Sequence, residues 1–260
     1  MRNRRIRLAV AFLCSGFFLG AMGCAGLAGP KHAGRTAAER EKLIKVTGDA
    51  AQSNRRNFFD FWNEQIVRED VAAGTVFMGD SITELWDLQV YFQPGKGLIE
   101  NRGISGDLAS RMAARFEADV IQLRPRNVVI LAGTNDVSKL IREGKSDEEI
   151  IADVTASNES MMKAAQAAGL NTMVCSILPT NSDYGRHAER TYLRAKINEK
   201  LKEACKAHGC VYVDYAAQMR DANGDLRKEL ARDGLHPHYA GYEIMARMLK
   251  EAAKAKGWRL

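Results

Sequence analysis

The sequence predicts an α/β fold of three layers, in which helices cover both faces of a five-stranded parallel sheet. Short apolar stretches alternate with longer amphipathic ones along most of the 260 residues. The short stretches are hydrophobic throughout, as expected for strands that are buried on both faces. Turn-forming residues such as Gly, Asn, Asp and Pro follow them, and these residues commonly end strands.

A helical segment is expected before the sheet, over residues 36–70. Leu43, Ile44 and Val46 form an apolar stripe at helical spacing, and Gly48 divides the segment into two helices. A stronger stripe follows, which consists of Phe58, Phe59, Phe61, Trp62 and Ile66. Such a stripe usually packs on the core. Lining a substrate cleft is the alternative.

The alternating part of the chain begins after Gly74. Predicted strands cover residues 75–78, 97–101, 127–132, 172–178 and 210–213. Predicted helices cover residues 107–124, 146–168, 187–208 and 239–256, and Pro125 and Gly169 end the first two. We expect right-handed crossovers between the parallel strands and a flavodoxin-like strand order. With no internal repeat, residues 36–260 are expected to form one domain.

Residues 1–23 have the pattern of an export signal. A basic run precedes an apolar stretch over residues 8–19, which is too short to span a membrane comfortably. Ala21-Met22-Gly23-Cys24 fits ordinary signal cleavage, and it also fits a bacterial lipobox in which Cys24 becomes lipidated. We favour the lipobox because it explains a cysteine at the cleavage point. Residues 24–35, rich in Gly and Ala, then form a tether.

The formal net charge of +6 does not indicate a nucleic-acid partner. Four positive charges, those of Arg2, Arg4, Arg5 and Arg7, lie in the segment that is expected to be removed, and that segment has no acidic residue. Without them the net charge falls from +6 to +2, which is too small to favour a polyanion. The expected location is outside a bacterial cytoplasm. Anchoring through Cys24 places the protein at the outer membrane or cell surface, and an unmodified Cys24 places it in the periplasm.

Three cysteines remain after the signal and the lipidation site. Cys175 lies in an apolar stretch and is expected to be a buried thiol. Cys205 and Cys210 stand at a helix end and at the start of the next strand. A disulfide between them is one alternative in an oxidising compartment, but their spacing does not establish it. No cysteine has the spacing of a zinc site.

Polar residues follow the predicted strands at the edge where parallel strands end. Ser81 follows the first strand, Gly103 the second and Asn135 the third, while Asp233 and His236 lie in a late loop. The carboxyl ends of parallel strands share one edge of the sheet, and open α/β sheets bind ligands there. We therefore expect these residues to meet although they are far apart in the chain.

These residue types fit ester cleavage by a serine nucleophile. Ser81 needs a base to become reactive, and His236 is the candidate base. Asp233, three residues earlier, can fix the His236 tautomer and stabilise the imidazolium. The Ser81 N–H, the Gly103 N–H and the Asn135 side-chain amide are the expected donors to the oxyanion. Gly103 fits this role because the absence of a Cβ lets substrate approach the backbone closely.

Structural alternatives exist for the same residues. Gly-Asp-Ser at 79–81, and Asn135 with Asp136, are also common turn residues. His238 is a second candidate for the base, but only His236 completes an Asp-x-x-His pattern with Asp233. Residues 221–225 faintly resemble a calcium loop, but the rest of an EF-hand is missing and a turn is expected.

Four sequence blocks, in order, resemble those of the SGNH, or GDSL-type, hydrolases. They are Gly79-Asp80-Ser81, Gly103, Gly133-Thr134-Asn135-Asp136 and Asp233-Gly234-Leu235-His236. The match extends over residues 75–240. The strings Met-Gly-Asp-Ser-Ile-Thr and Asn-Arg-Gly-Ile-Ser-Gly resemble the branch that contains the catalytic subunits of platelet-activating-factor acetylhydrolase and many bacterial carbohydrate acetylesterases. His238 departs from the family pattern, in which Asn is common at this position.

The resemblance implies a serine esterase with a flavodoxin-like sheet, a Ser81–His236–Asp233 triad and no metal or other cofactor. It assigns Ser81, Gly103 and Asn135 to the oxyanion hole. The branch implies a small acyl group, acetyl first, on a carbohydrate or another small ester. Two alternatives stay open. One is a lipid or thioester acylhydrolase for longer acyl groups, and the other is a surface lipoprotein that binds glycan without catalysis. No oligomeric state is implied.

Overall fold

The computed structural model describes residues 34–93, 97–188 and 192–260. Its sheet contains β1 (Ala73–Gly79), β2 (Leu98–Gly103), β3 (Asn127–Leu131), β4 (Asn171–Cys175) and β5 (Val211–Val213). All neighbours are parallel, and the order is β2-β1-β3-β4-β5. The predicted fold class is therefore confirmed. The predicted signal peptide, Cys24 and tether residues 24–33 lie outside the described residues.

Ten α-helices occur in the described part of the chain. They are α1 (Ala37–Glu41), α2 (Asn54–Arg68), α3 (Ser81–Glu84), α4 (Leu88–Tyr91), α5 (Ala109–Asp119), α6 (Thr134–Arg142), α7 (Asp147–Ala167), α8 (Tyr192–Ala207), α9 (Tyr215–Met219) and α10 (Tyr239–Ala255). Short 3₁₀ turns cover Gly48–Ala51, Ile121–Leu123 and Lys228–Leu230. None of the helices described is long and apolar enough to cross a bilayer.

The core consists of two apolar layers, one on each face of the sheet. Successive side chains of a strand point to opposite faces. In β1, Val76 and Met78 therefore pack with α5, α7 and α8, whereas Phe77 packs with Trp86 and α10. β3 repeats this division along its length. The continuous apolar runs of the sequence are thus explained by burial on both faces.

α6 is a helix that the sequence pattern did not predict. The sequence pattern predicts no helix between residues 133 and 145, but Gly133 adopts a φ of +126° and the chain enters a helix directly at Thr134. Val137 and Leu140, on the inner face of α6, are buried, and their packing against the core stabilises the helix. Asn135 consequently stands in the first helical turn and not in a loop.

The aromatic stripe of α2 divides between the core and the surface. Phe59 is fully buried, in agreement with the expected packing. Phe58, Phe61 and Trp62 are 58%, 65% and 42% exposed, so the expectation that the stripe docks on the core is wrong for them. Spacing alone did not separate these residues, because residues three and four apart share one broad helix face.

The cysteines are all free thiols in the described residues. The disulfide alternative for Cys205 and Cys210 is therefore not realised in the structure. Cys175 is buried as expected, and burial raises its pKa to about 12. Burial likewise raises the pKa of Cys205 to about 12 and that of Cys210 to about 11. These thiols are poor nucleophiles at neutral pH.

Candidate active site

Ser81 lies at the carboxyl end of β1, two residues after Gly79. The Asp80 Oδ1 accepts the Ile82 N–H at 2.9 Å and caps α3, which turns the chain sharply after the strand. A Cβ on Gly79 would lie 2.0 Å from the Thr83 Oγ1, so the tight turn requires glycine. Ser81 is 8% exposed, so it is largely buried where the strand ends.

His236 connects Ser81 with Asp233. The Ser81 Oγ lies 2.9 Å from the His236 Nε2, and the His236 Nδ1 lies 2.6 Å from the Asp233 Oδ2. Partial burial raises the pKa of Asp233, but hydrogen bonds from the ring and backbone of His236 and from the Leu235 N–H bring it below its usual value. The carboxylate can then only accept, so Nδ1 carries the proton and Nε2 is left to accept the Ser81 hydroxyl.

His238 does not compete with His236 for the serine. Its Nδ1 accepts the Ala240 N–H at 3.3 Å, and the residue caps the N-terminus of α10. The loop before it is held by the Asn181 N–H, which donates to the Gly234 carbonyl at 3.0 Å. A Cβ on Gly234, whose φ is +74°, would lie 2.4 Å from the Asn181 Oδ1. The loop conformation that presents His236 therefore depends on this glycine.

Asn135 joins the same edge of the sheet from α6. Its Nδ2 donates to the Asp107 carbonyl at 2.9 Å. An amide nitrogen carries two hydrogens, so one N–H is fixed by this bond and the other is available to a ligand. Thus the Asp107 carbonyl sets the orientation of the Asn135 amide.

Gly103 differs from its expected role. Its N–H donates to the Asn101 Oδ1 at 2.9 Å and is therefore already engaged in a hydrogen bond. A Cβ at this position would lie 2.2 Å from the Glu84 N. Glycine is therefore required here so that α3 can pack against the end of β2, and not to admit substrate. The assignment of Gly103 as an oxyanion donor is corrected on these grounds.

Gly106 is a candidate oxyanion donor that the sequence analysis missed. Its φ is +77°, and a Cβ there would meet no atom within 4 Å. Within the described residues, no hydrogen bond of the Gly106 N–H is found. It precedes Asp107, whose carbonyl holds the Asn135 amide. The signal available in the sequence was the second glycine of Gly-Ile-Ser-Gly, three residues after the one we selected.

Two buried carboxyl groups lie behind the site. Burial raises the pKa of Asp80 to about 6, against the hydrogen bond from the Ile82 N–H. Burial, together with the neighbouring Asp80, raises the pKa of Asp136 to about 7, although the Ala109 N–H donates to both carboxylate oxygens. Among the described residues, no group of three His, Cys, Asp or Glu side chains has an arrangement suited to a metal ion.

The comparisons with known proteins identify a family. The model of the GDSL-like lipase/acylhydrolase family matches residues 77–244, more than half of the chain. A GDSL-like lipase from Bacteroides thetaiotaomicron VPI-5482 is 28% identical, with a TM-score of 0.66, and the match covers 80% of this chain and 100% of that one. A Bacteroides fragilis NCTC 9343 protein is 26% identical, with a TM-score of 0.61 and coverage of 85% and 95%.

More distant structures share the fold. A mutant of an acetylxylan esterase from Geobacillus stearothermophilus is 22% identical, with a TM-score of 0.56, and the match covers 70% of this chain and 95% of that one. A search of curated protein sequences gave no significant match. From the family match over residues 77–244, the chain belongs to the GDSL-like lipase/acylhydrolase family and is a carboxylic ester hydrolase.

Proposed function

We propose that the protein is a serine esterase that removes small acyl groups, acetyl first, from carbohydrate esters. The catalytic part rests on one observation, the continuous hydrogen-bonded path from Ser81 through His236 to Asp233. Its two links measure 2.9 Å and 2.6 Å. A nucleophile in contact with a base, and a base oriented by a third group, is the arrangement that acyl transfer requires.

In the proposed acylation step, the Ser81 Oγ attacks the ester carbonyl carbon and the His236 Nε2 takes the hydroxyl proton. The carbonyl oxygen becomes an oxyanion, which the Ser81 N–H, the Gly106 N–H and the free N–H of Asn135 stabilise. The Asp233 carboxylate stabilises the imidazolium. His236 then returns the proton to the leaving alcohol as the bond between the acyl carbon and that oxygen breaks.

The proposed deacylation step repeats the same chemistry with water. His236 takes a proton from a water molecule, whose oxygen attacks the acyl carbon of the Ser81 ester. The oxyanion donors stabilise the second tetrahedral intermediate, and the proton passes from the His236 Nε2 to the Ser81 Oγ as the acid leaves. The free serine is regenerated, and no group other than water is consumed.

The acyl preference rests on the resemblance of residues 78–83 and 101–106 to carbohydrate acetylesterases. The occurrence of an acetylxylan esterase among proteins of the same fold is in keeping with this preference. The decisive experiment is a screen of acetylated sugars together with nitrophenyl esters of graded acyl length. We expect acetate to be cleaved with a higher kcat/KM than octanoate. Faster cleavage of octanoate would favour the lipid or thioester acylhydrolase instead.

The nucleophile has a direct test in Ser81→Ala, with Ser157→Ala as its control. Ser157 is half-buried on α7, and among the described residues its hydroxyl donates only to the Asp153 carbonyl in the same helix. We expect Ser81→Ala to lower kcat by at least about 10³-fold with an unchanged unfolding temperature, and Ser157→Ala to keep full activity. Near-wild-type turnover in Ser81→Ala would refute the assignment. A wild-type protein that binds glycan but cleaves no ester would favour the non-catalytic alternative.

We further propose that the protein is exported and anchored through lipidated Cys24. This proposal rests on the basic and apolar pattern of residues 1–23 and on the position of Cys24 directly after it. Mass spectrometry of the protein from a membrane fraction should show acyl groups on an N-terminal Cys24. An unmodified cysteine in a soluble periplasmic fraction would refute the anchor and leave ordinary signal cleavage.

A further inference from the structure

A buried arginine on α5 lies directly beneath the candidate site. Arg115 is fully buried. Its Nη2 donates to the Gly79 carbonyl at 3.1 Å and to the Arg102 carbonyl at 2.8 Å. Its Nε donates to the Asp107 Oδ2 at 2.9 Å, and its Nη1 donates to the Asp119 Oδ2 at 3.0 Å. One guanidinium thus bonds four acceptors from four separate positions of the chain.

Two of these acceptors are backbone carbonyls at the carboxyl ends of β1 and β2. The Gly79 carbonyl lies at the end of β1, two residues before Ser81. The Arg102 carbonyl lies near the end of β2, at the start of the loop that leads to Gly106. Because a single nitrogen donates to both carbonyls, the distance between the two strand ends is fixed at the point where the chain leaves the sheet.

The third acceptor connects Arg115 with the Asn135 amide. The side chain of Asp107 accepts the Arg115 Nε, while its backbone carbonyl accepts the Asn135 Nδ2. The position of Asp107 therefore affects both Gly106, its neighbour in the chain, and the amide on α6. Arg115 therefore restrains the segments of Ser81 and Gly106 by direct hydrogen bonds, and it restrains the Asn135 amide indirectly through Asp107.

The fourth acceptor links this arrangement to α2, outside the residues matched by the family model. Asp119 is fully buried and contacts Arg56 at 3.3 Å, and its Oδ1 accepts the Asn63 Nδ2 at 3.1 Å. A buried charge is costly unless it is paired and hydrogen-bonded. The planar fork of arginine can satisfy several acceptors in fixed directions, whereas lysine presents one nitrogen at the end of a flexible chain.

We propose that Arg115 is a positioning residue for the esterase reaction, which holds Ser81, the loop of Gly106 and the Asn135 amide in their reactive arrangement. This inference rests on the proposed function. Arg115 does not touch substrate; it acts through Gly79, Arg102 and Asp107. Misplacement of catalytic groups by about 1 Å can cost on the order of 10²-fold in rate, so the effect on catalysis should exceed the effect on substrate binding.

The test compares Arg115→Lys with the matched control Arg56→Lys. Both arginines are buried, and both contact Asp119. Among the described residues the Arg56 side chain pairs only with Asp60 and Asp119, and no hydrogen bond joins it to the ends of β1 and β2. For Arg115→Lys we expect kcat on nitrophenyl acetate to fall at least about 10-fold with KM within about threefold of wild type. For Arg56→Lys we expect kcat within about threefold of wild type, even where its unfolding temperature falls.

A second readout does not depend on any ester substrate. The rate of covalent labelling of Ser81 by a fluorophosphonate, followed by mass spectrometry, requires an activated serine and an oxyanion site. This rate should fall in Arg115→Lys and stay near wild type in Arg56→Lys. Asp107→Ala, which removes the side-chain acceptor of the Arg115 Nε but keeps the backbone carbonyl that accepts the Asn135 Nδ2, serves as the second variant if Arg115→Lys does not fold. We expect the same fall in kcat at unchanged KM.

The outcomes separate this inference from the proposed function. A wild-type protein that cleaves no ester in the screen would refute the proposed function. An active wild type, an inactive Ser81→Ala and a folded Arg115→Lys with wild-type kcat would refute only the positioning role. Equal losses of kcat in Arg115→Lys and Arg56→Lys would likewise refute it, because they would show a general effect of the buried ion pairs on stability.

Discussion

The Ser81 Oγ and the His236 Nε2 lie 2.9 Å apart although 155 positions separate the two residues in the chain. The two residues belong to elements that are far apart in the chain, so no local structure brings them together. Ser81 follows β1 at the carboxyl edge of the sheet, and the loop before α10 places His236 at the same edge. The contact therefore exists only in the folded protein, and its role in catalysis can be tested by substituting Ser81 or His236.

The two histidines of the late loop give a matched pair. His236→Asn removes the candidate base, and we expect kcat/KM on nitrophenyl acetate to fall by about 10²- to 10⁴-fold. His238→Asn should keep kcat within about threefold of wild type, because Asn is also a good N-cap for α10. Activity lost equally in both variants would show that the loop, and not the His236 ring, was disturbed.

Three glycine variants test the corrected oxyanion assignment. Gly103→Ala places a Cβ 2.2 Å from the Glu84 N, so we expect a large fall in unfolding temperature. Gly106→Ala has open space around the Cβ but a φ of +77°, so its loop should shift and kcat should fall. Gly144→Ala is the control, since its φ is +80° and its Cβ is equally unobstructed.

The comparison of Gly106→Ala with Gly144→Ala separates strain from catalysis. Both should cost about 1–2 kcal/mol of folding free energy for an L residue in the left-handed region, measured by denaturant unfolding. Only Gly106→Ala should lower kcat, by about 10-fold or more at unchanged KM. A wild-type kcat in folded Gly106→Ala, or a similar loss in Gly144→Ala, would argue against the Gly106 loop as part of the site.

The Asn135 amide should contribute to the transition state more than to substrate binding. Removal of one oxyanion donor costs about 10²- to 10³-fold in kcat in other acyl-transfer sites. We expect Asn135→Ala to show a loss of this size with little change in KM, when both are measured on nitrophenyl acetate. Asn135→Asp has similar volume but a carboxylate that repels the oxyanion, so it should be no more active. An increase in KM at constant kcat would indicate a role in ground-state binding instead.

The strand order and the meeting of Ser81, Asp233 and His236 at one edge were accessible from the sequence. Buried parallel strands leave a clear apolar signal, and their carboxyl ends must share an edge. Gly103 was assigned wrongly because two glycines stand three positions apart, and their hydrogen-bond partners distinguish them. The Gly103 N–H bonds the Asn101 side chain, which only the folded structure reveals.

Arg115 and the exposed rings of α2 were not accessible in the same way. In the sequence, Arg115 looks like an ordinary charged residue of an amphipathic helix. Its acceptors come from β1, β2 and the chain beyond them, so only the folded structure reveals its contacts. Phe58 and Phe59 are adjacent in sequence, but one is exposed and the other is buried. Hydrophobicity predicts that a helix has an apolar face, but tertiary contacts decide which of its residues the core covers.

Asp136 should make the stability of the protein depend on pH. Burial first, and then the neighbouring Asp80, raises the pKa of Asp136 to about 7, compared with about 3.9 for an unfolded chain. Between about pH 4 and pH 7 the native state therefore binds a proton that the unfolded state lacks. The free energy of unfolding should fall as pH rises through this window, so the contribution of Asp136 favours folding most at the acidic end.

Asp136→Asn should flatten this dependence. A neutral carboxyl has a hydroxyl donor and a carbonyl acceptor, and an amide of similar shape has an NH2 donor group and a carbonyl acceptor. The amide oxygen can therefore still accept the Ala109 N–H. We expect the unfolding temperature of Asp136→Asn to change less than that of wild type between pH 5 and pH 8, with the variant several degrees higher at pH 8. Asp49→Asn, at an exposed position, is the control and should follow wild type. Parallel curves for Asp136→Asn and wild type would show that Asp136 is ionised in the native state throughout, against the direction that its burial predicts.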